Sequence, residues 1–333
     1  MAKIRDMMPG FELFQPATVE DAVGLLARYG RDGWALAGGL DSFDWFKDRI
    51  KRPQAVIDLG GIEPLRQIRP AQGGLEIGAM ATLTAVATHA DIRSRFRLLS
   101  DAAVHVATPQ IRNAGTLGGN LCQDTRCWYY RGGWPCYRAG GNVCYASGPE
   151  AMNREHCVMG GRRCVAVNPS DTAAAVIALD SQMVIRNRGG ERVVEAEDFF
   201  IGPAIDITRM TVLEPGDLLT TIRVPTRWAG ARFYFEKVRD RQAWDFPLVT
   251  VASAMVVENG AIARVRVAVN GVSPYPVRLH DVEQAVTGKP LSESTAALGG
   301  EVAIRGARPL RHNDYKLPLL RNLVRRSLRG REP

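Results

Sequence analysis

The sequence predicts an α+β chain built from more than one unit. Three observations carry this. A strand, glycine turn, helix and strand follow one another between Trp34 and Leu59; a long two-stranded hairpin is signalled near the C-terminus; and 333 residues, 46% of them hydrophobic, exceed what one compact core usually spans. Two or three subdomains are therefore expected, with boundaries at 1–62, 63–227 and 228–333 and an insertion at 121–165.

The first unit opens on Thr18-Val-Glu-Asp21, a capping-box-like start, followed by Val19, Ala22, Val23, Leu26 and Tyr29 spaced for one helix face, with Gly30 as the stop. A strand from Trp34 to Ala37 runs into Gly38-Gly39; a helix from Asp44 to Ile50 and a strand from Ala55 to Leu59 complete the unit. The second starts near Leu65, with a strand at Leu75–Ala79 and a helix around Leu98–Ala107 leading to Thr116-Leu-Gly-Gly-Asn120. A cysteine-bearing segment then interrupts. Regular structure resumes at Cys164–Val167, with a helix Thr172–Leu179 started by Ser170 or Asp171 and a strand Ser181–Arg186. In the third unit, Leu248–Val257 and Ala261–Asn270 flank Glu258-Asn-Gly260, a tight-turn signal, and the last helix, Lys316–Leu328, reads as a core-packing helix with a basic outer face.

The net charge of +8 is carried by scattered arginines with no basic run interleaved with aromatics, which points to a protein partner or an anionic cofactor, not nucleic acid. Met1 to Pro16 lacks the apolar core of a signal peptide and no stretch is long enough to cross a bilayer. The chain reads as soluble and cytoplasmic, or periplasmic if a folded partner carries the export signal.

Backbone N–H groups can close on a diphosphate only where no Cβ intervenes, and Ala37-Gly38-Gly39 and Gly118-Gly119-Asn120 each supply such a loop. Neither is the G-x-G-x-x-G of a dinucleotide fold. Asp171 is equally suited to capping the helix that follows it, and Lys237 to an ordinary solvated strand edge. Four cysteines, Cys127, Cys136, Cys144 and Cys164, fit either tetrahedral zinc or an iron–sulfur cluster; the absence of close Cys-x-x-Cys pairs favours the cluster. Trp128-Tyr129-Tyr130 and Trp134 are expected to pack among them. Cys127 lies eight residues past Gly119, so extended chain limits their separation to roughly 28 Å. Cys122, Cys157 and His156 read as structural, a Cys122–Cys157 disulfide remaining open.

Together, Leu36-Ala-Gly-Gly-Leu-Asp41, Thr116-Leu-Gly-Gly-Asn120, Asn168-Pro-Ser-Asp171, Leu219-Thr-Thr-Ile-Arg-Val-Pro225 and Phe235-Glu-Lys237 resemble the FAD subunit of the molybdenum hydroxylases, the xanthine dehydrogenase and aldehyde oxidoreductase group, from about Phe11 to Leu328. The resemblance implies a two-subdomain FAD-binding fold of the PCMH (vanillyl-alcohol-oxidase-like) type plus a C-terminal α/β domain with a small antiparallel sheet and helices. It implies that Ala37, Gly38, Gly39, Leu40, Asp41 and Ser42, with Thr116, Gly118, Gly119 and Asn120, hold the FAD pyrophosphate; that Asp171 contacts the ribose and adenine side; that Lys237 lies near the flavin; and that Leu36, Leu219 and Thr108 also contact the cofactor. Leu40 departs from the family's small polar residue. A subset of the family, including periplasmic-type aldehyde oxidoreductases and 4-hydroxybenzoyl-CoA reductase, carries an insertion holding a 4Fe-4S cluster, and this resemblance makes Cys127, Cys136, Cys144 and Cys164 its ligands.

The implied partners are a molybdenum-cofactor large subunit, a small subunit with two 2Fe-2S clusters and a soluble electron acceptor, with an aldehyde or N-heterocycle oxidised on another subunit. A self-contained flavin oxidase would instead need an acid–base pair that the C-terminal hundred residues do not offer, and a zinc-stabilised interaction module would lack flavin.

Overall fold

The computed structural model describes residues 8–329. The first seven residues of the Met1–Pro16 segment lie outside these. Three sheets follow one another along the chain. The first is parallel, with β1 (Glu12–Phe14), β2 (Gly33–Leu36) and β3 (Ala55–Asp58) in the order β1-β3-β2. Its central strand is a short apolar run, Ala55-Val56-Ile57, with no exposure on either face, as expected where both faces of a parallel strand are covered. The helix Val19–Tyr29 buries Ala22, Val23 and Leu26 on one side, and its cap is the expected one: the Thr18 hydroxyl accepts from the Asp21 N–H at 3.1 Å.

The second sheet is antiparallel, β4 (Ile68–Ala71), β5 (Gly74–Gly78), β6 (Gln182–Asn187), β7 (Gly190–Glu195) and β8 (Leu218–Pro225), in the order β4-β5-β8-β6-β7. The third holds β9 (Arg232–Val238), β10 (Val249–Glu258), β11 (Ala261–Asn270) and β12 (Val277–Arg278) in the order β12-β11-β10-β9. The hairpin β10–β11 turns at Asn259 and Gly260, with φ of 50° and 77°, the pair of left-handed residues that a tight hairpin turn needs. The mixture of helices with one parallel and two antiparallel sheets is the α+β class expected.

Alternation in β10 decides how the third sheet sits. Val249, Val251 and Met255 point into a core shared with the last helices, while Ala252 and Ala254 point into the core of the second unit. Small residues on that face admit the helix Ala173–Ala178, whose six residues are all fully buried. The Asn168–Asp171 turn that precedes this helix is thereby placed at the junction of the two cores.

Two expectations fail. Cys164–Val167, where regular structure was expected to resume, forms neither helix nor strand. Lys316, read as part of a basic outer face, is instead fully buried and donates to the carbonyls of Glu155 (3.0 Å) and Gly271 (2.6 Å). It falls on the core side of the helix Lys316–Ser327 with Leu320, Leu323 and Val324.

Candidate functional site

The two glycine loops meet. A Cβ on Gly38 would lie 2.2 Å from the Ala114 carbonyl oxygen, so only glycine lets the first loop close on the segment leading into the second; Gly119 packs beside the Ala37 methyl. A cleft between them is lined by Ala37, Gly38, Gly39, Leu40, Asp41, Ser42, Thr116, Gly119 and Asn120, with Trp45, Ile111 and Cys122. Gly39 has φ of 77°. Among the described residues, the N–H groups from Gly38 to Ser42 make no hydrogen bond within the chain, which leaves a run of donors for an anion.

The second loop differs from expectation, because its N–H groups are already used. Leu117 donates to Ala81, Gly118 to Ala79, Asn120 to the Thr116 carbonyl, and Gly119 to the Thr116 hydroxyl at 3.0 Å. Thr116 caps a short helix, and Gly118 is glycine because the Ala79 methyl would otherwise be 2.7 Å away. Asn120 has a bracing role: its Oδ1 accepts from the Ser170 hydroxyl (2.8 Å), the Thr172 N–H (3.2 Å) and the Thr172 hydroxyl (2.6 Å). The second loop and the Asn168–Asp171 turn are thus one unit. Asn270, at the end of β11, completes it by donating to Asn168 Oδ1 (3.1 Å) and the Ser170 carbonyl (2.7 Å).

Asp171 does not cap the helix that follows. Ser170 does, accepting from the Ala173 N–H at 3.1 Å. Asp171 is buried and takes a bond from Lys237 Nζ at 2.7 Å, across 66 residues of sequence. Lys237 is no solvated edge lysine; its side chain is fully buried and also donates to the carbonyls of His105 (3.1 Å) and Asp245 (2.7 Å). Burial raises the Asp171 carboxyl above the usual range and lowers the Lys237 ammonium, each opposed by the other's charge. With three oxygen acceptors around Nζ, we take the pair as charged. Asp171 Oδ1 is buried without a partner, an acceptor that a cofactor hydroxyl or amine would satisfy. Leu36 and Leu219 are buried, Leu219 within the core of the second unit, and Thr108 spends its hydroxyl on the Ile111 N–H at 3.3 Å.

A cavity of about 560 Å³, in the size range of ligand pockets, lies beside this cleft. Its walls include Arg126, Cys127, Arg131, His156, Asn168, Pro169, Trp244 and Phe246. Cleft and cavity meet at Asp41, whose Oδ1 accepts from Arg126 (2.7 Å) and Arg131 (2.6 Å) and whose Oδ2 accepts from Trp45 Nε1 (3.1 Å). Neither arginine stood out in the sequence. Both flank Cys127 within a few residues, which is the only signal they carried.

The expected four-cysteine centre is not assembled as a single-ion site: among the described residues, no three of His, Cys, Asp and Glu converge closely enough to hold one metal ion. The four thiols nevertheless share one neighbourhood. Cys127 lies in the field of Cys144 and Cys164, and Cys164 in that of Cys136 and Cys144. Burial pushes the Cys127 thiol up to about 12, opposed by the N–H groups of Tyr130 and Tyr129; burial likewise raises the Cys164 thiol, opposed by the Ala166 N–H and the buried Arg138.

Tyr129, Trp134 and Tyr145 pack on one another at 4.8–6.2 Å between centroids, but Trp128 is 64% exposed and does not pack among the cysteines as expected. All six cysteines are free thiols; Cys122 packs on the core of the second unit and Cys157 on Ala146 and Val165. Burial pushes both of their thiols up to about 12. His156 is buried with Nε2 3.3 Å from Cys127 Sγ, and burial, then the Lys316 charge, push its imidazole down to about 4.

Among the described residues no helix is long and apolar enough to cross a membrane. Residues 9–227 match the family model described as the FAD binding domain in molybdopterin dehydrogenase, and residues 233–330 that of the CO dehydrogenase flavoprotein C-terminal domain. The chain is 33% identical over 293 residues to the aldehyde oxidoreductase FAD-binding subunit PaoB of Escherichia coli, covering 87% of this chain and 88% of that protein. It is 29% identical to the carbon monoxide dehydrogenase medium chain of Hydrogenophaga pseudoflava, covering 96% of each. A solved structure of carbon monoxide dehydrogenase from Hydrogenophaga pseudoflava, lacking the Mo-pyranopterin moiety of its cofactor, superposes with a TM-score of 0.78 at 28% identity, over 97% of this chain and 98% of that one. With a family model spanning 9–227 and a relative above 30% identity over most of both chains, this protein belongs to the FAD-binding subunits of the molybdenum hydroxylase family.

Proposed function

We propose that this subunit relays electrons within a heteromeric molybdenum-dependent oxidoreductase, between a partner's 2Fe-2S clusters, FAD, and a 4Fe-4S cluster held by Cys127, Cys136, Cys144 and Cys164. Bound here, FAD would supply two-electron exchange and the cluster one-electron exchange. The chain's own residues do the rest. The free N–H groups from Gly38 to Ser42 receive the pyrophosphate, and Asp171 Oδ1 takes a donor from the nucleotide, with Lys237 fixing the carboxylate. Asn120, Ser170, Thr172 and Asn270 lock the second loop to the third motif; Leu36, Thr108, Gly118 and Leu219 complete the cofactor contacts of this reading. The work divides over units at 1–62, 63–227 and 228–333, with the cluster-bearing insertion at 121–165.

The observation that carries the reading is Asp41. It lies in the lining of the glycine-loop cleft and is gripped by Arg126 and Arg131 from either side of Cys127, so the cysteine segment is built onto the FAD site. A molybdenum-bearing large subunit oxidises the organic substrate, a small subunit with two 2Fe-2S clusters connects it to this one, and a soluble acceptor takes the electrons. Aldehydes or N-heterocycles are the proposed substrates, supported by the aldehyde oxidoreductase PaoB and by the nicotinate dehydrogenase FAD-subunit of Eubacterium barkeri, 28% identical over 290 residues. The test is flavin, iron and sulfide analysis with EPR of the anaerobically purified complex, wild type and Cys136→Ser. The expected result is FAD and a 4Fe-4S signal in the wild type and loss of that signal alone in the variant. A complex that shows no 4Fe-4S signal ends the cluster reading; flavin reduced quickly by an aldehyde in the isolated subunit would favour a self-contained oxidase.

A further inference from the structure

His156 is buried at 3% exposure, its Nε2 is 3.3 Å from Cys127 Sγ, and its Nδ1 has no partner. Its position is imposed from the far end of the chain. Tyr315 donates its hydroxyl to the Arg154 carbonyl (3.0 Å), Lys316 to Glu155 (3.0 Å), and Asn313 Nδ2 to His156 (2.9 Å) and Cys157 (3.1 Å). Four consecutive carbonyls are therefore gripped by one short stretch of the third unit, while the His312 N–H reaches Asn153 Oδ1 (3.1 Å). A ring held this firmly against one sulfur is more than space filling. As a metal ligand Cys127 is a thiolate and can only accept, so a proton on Nε2 gives an N–H···S bond, whereas a bare Nε2 would set a lone pair against the sulfur's own.

Resting on the cluster reading above, we propose that His156 is a positioning residue that donates its Nε2 hydrogen to the sulfur of Cys127, and thereby sets the reduction potential of the inorganic centre at the ligand facing the flavin-side cavity. His156 and Cys127 both line that cavity, with Asn168 and Pro169 of the third cofactor motif. Electron density on thiolate sulfur grows when the centre is reduced, so an N–H donor favours the reduced state and raises the potential.

The experiment uses the intact complex, with mediated redox titration followed by EPR of the 4Fe-4S signal. His156→Leu is expected to keep its iron and sulfide and to lower the potential by about tenfold in the reduction equilibrium, 59 mV for one electron. His156→Asn, which restores an N–H, is expected to recover part of the shift. A His156→Leu cluster with unmoved potential overturns the assignment and leaves the cluster reading intact; equal potentials in the Leu and Asn variants overturn it too. A wild type without the 4Fe-4S signal removes both. Should His156→Leu not fold, wild-type complex labelled with 15N-histidine is examined by pulsed EPR: a weak nitrogen coupling supports the hydrogen bond, while no coupling, or one of the size of a directly bound nitrogen, overturns it.

Discussion

Replacing Lys237 with methionine isolates the buried pair at the centre of the site. The substitution keeps the length of the side chain and removes the charge, so it leaves the Asp171 carboxylate, 4% exposed and already lacking a partner on Oδ1, with no partner at all, and strips a donor from the carbonyls of His105 and Asp245. Breaking a buried pair by removing one member costs about 3–5 kcal/mol. For a chain of 333 residues that corresponds to a fall in Tm of roughly 4–7 °C. Asp171→Asn keeps an acceptor near Nζ and costs less, about 1.5–3 kcal/mol, the range of a hydrogen bond to a charged group. Lys237→Met combined with Asp171→Leu is then less destabilised than the sum of its singles by about 2 kcal/mol or more, since the double variant buries no lone charge. Thermal and denaturant unfolding of the FAD-free subunit give these values. Titrating FAD into each gives the second half: if Oδ1 accepts from the cofactor, Asp171→Asn weakens FAD binding by about 10- to 150-fold. A loss below about 1 kcal/mol for Lys237→Met, or additive singles, would refute the account of the pair; unchanged FAD affinity in Asp171→Asn would refute the role of Oδ1.

Gly38→Ala forces a methyl to within 2.2 Å of the Ala114 carbonyl oxygen and must separate the two loops; overpacking of about 1–3 kcal/mol and flavin-poor protein with an unchanged far-UV spectrum are expected, and full flavin content would show that the loops are not in contact. Asn120→Ala removes one oxygen that serves three donors, at a cost of about 2–4 kcal/mol by denaturant unfolding, with Asn120→Asp less harmful because both oxygens can accept. Burial lowers the Lys316 ammonium to about 7 from an ordinary 10.5, so above pH 7 the unfolded chain binds more protons than the folded one at this site. Wild-type stability relative to Lys316→Met should therefore rise from pH 7 to 8.5, by up to about 1.4 kcal/mol per pH unit, and a flat difference would mean that the buried lysine is not held neutral at high pH.

How far the sequence reached depended on whether the relevant signal was local. Asn259-Gly260 fixed the hairpin turn because a pair of left-handed residues is a two-residue requirement, and the glycines of both loops were visible because each answers to a backbone approach. The contacts that turn those loops into a site are non-local. Asn120 meets Ser170 and Thr172 across 50 and 52 residues, Asp171 meets Lys237 across 66, and Arg131 meets Asp41 across 90. No periodicity encodes such pairs, and a polar residue bound for one of them looks the same in sequence as one bound for solvent. Lys316 is the instructive failure, because its signal was present: it stands four residues before Leu320 and seven before Leu323, squarely on the apolar stripe. Charge was given more weight than phase. The N–H groups of Thr116-Leu-Gly-Gly-Asn120 misled for the opposite reason, since the motif is conspicuous but its donors are consumed by Ala79, Ala81 and Thr116.

Asp41 ties the cysteine segment to the glycine-loop cleft. If the cleft takes a diphosphate as proposed, a carboxylate set in its lining would repel that ligand, and the penalty grows as the site excludes water. Arg126 and Arg131 bring two positive charges to that single carboxylate, and Arg131 also stacks 3.8 Å from the centre of the Trp45 ring, which closes the back of the cleft. The local charge at Asp41 thus turns from −1 to a net positive value only while residues 126–131 keep their fold, and that fold is also what positions Cys127 and the N–H groups of Tyr129 and Tyr130. Whatever orders the cysteine segment therefore strengthens anion binding at Gly38–Ser42, and by thermodynamic reciprocity an anion bound there stabilises the ordered cysteine segment by the same factor. The basic balance of the chain then has a specific use at this junction: two of its arginines, from the cysteine segment, offset an acidic residue beside the free N–H groups of Gly38–Ser42.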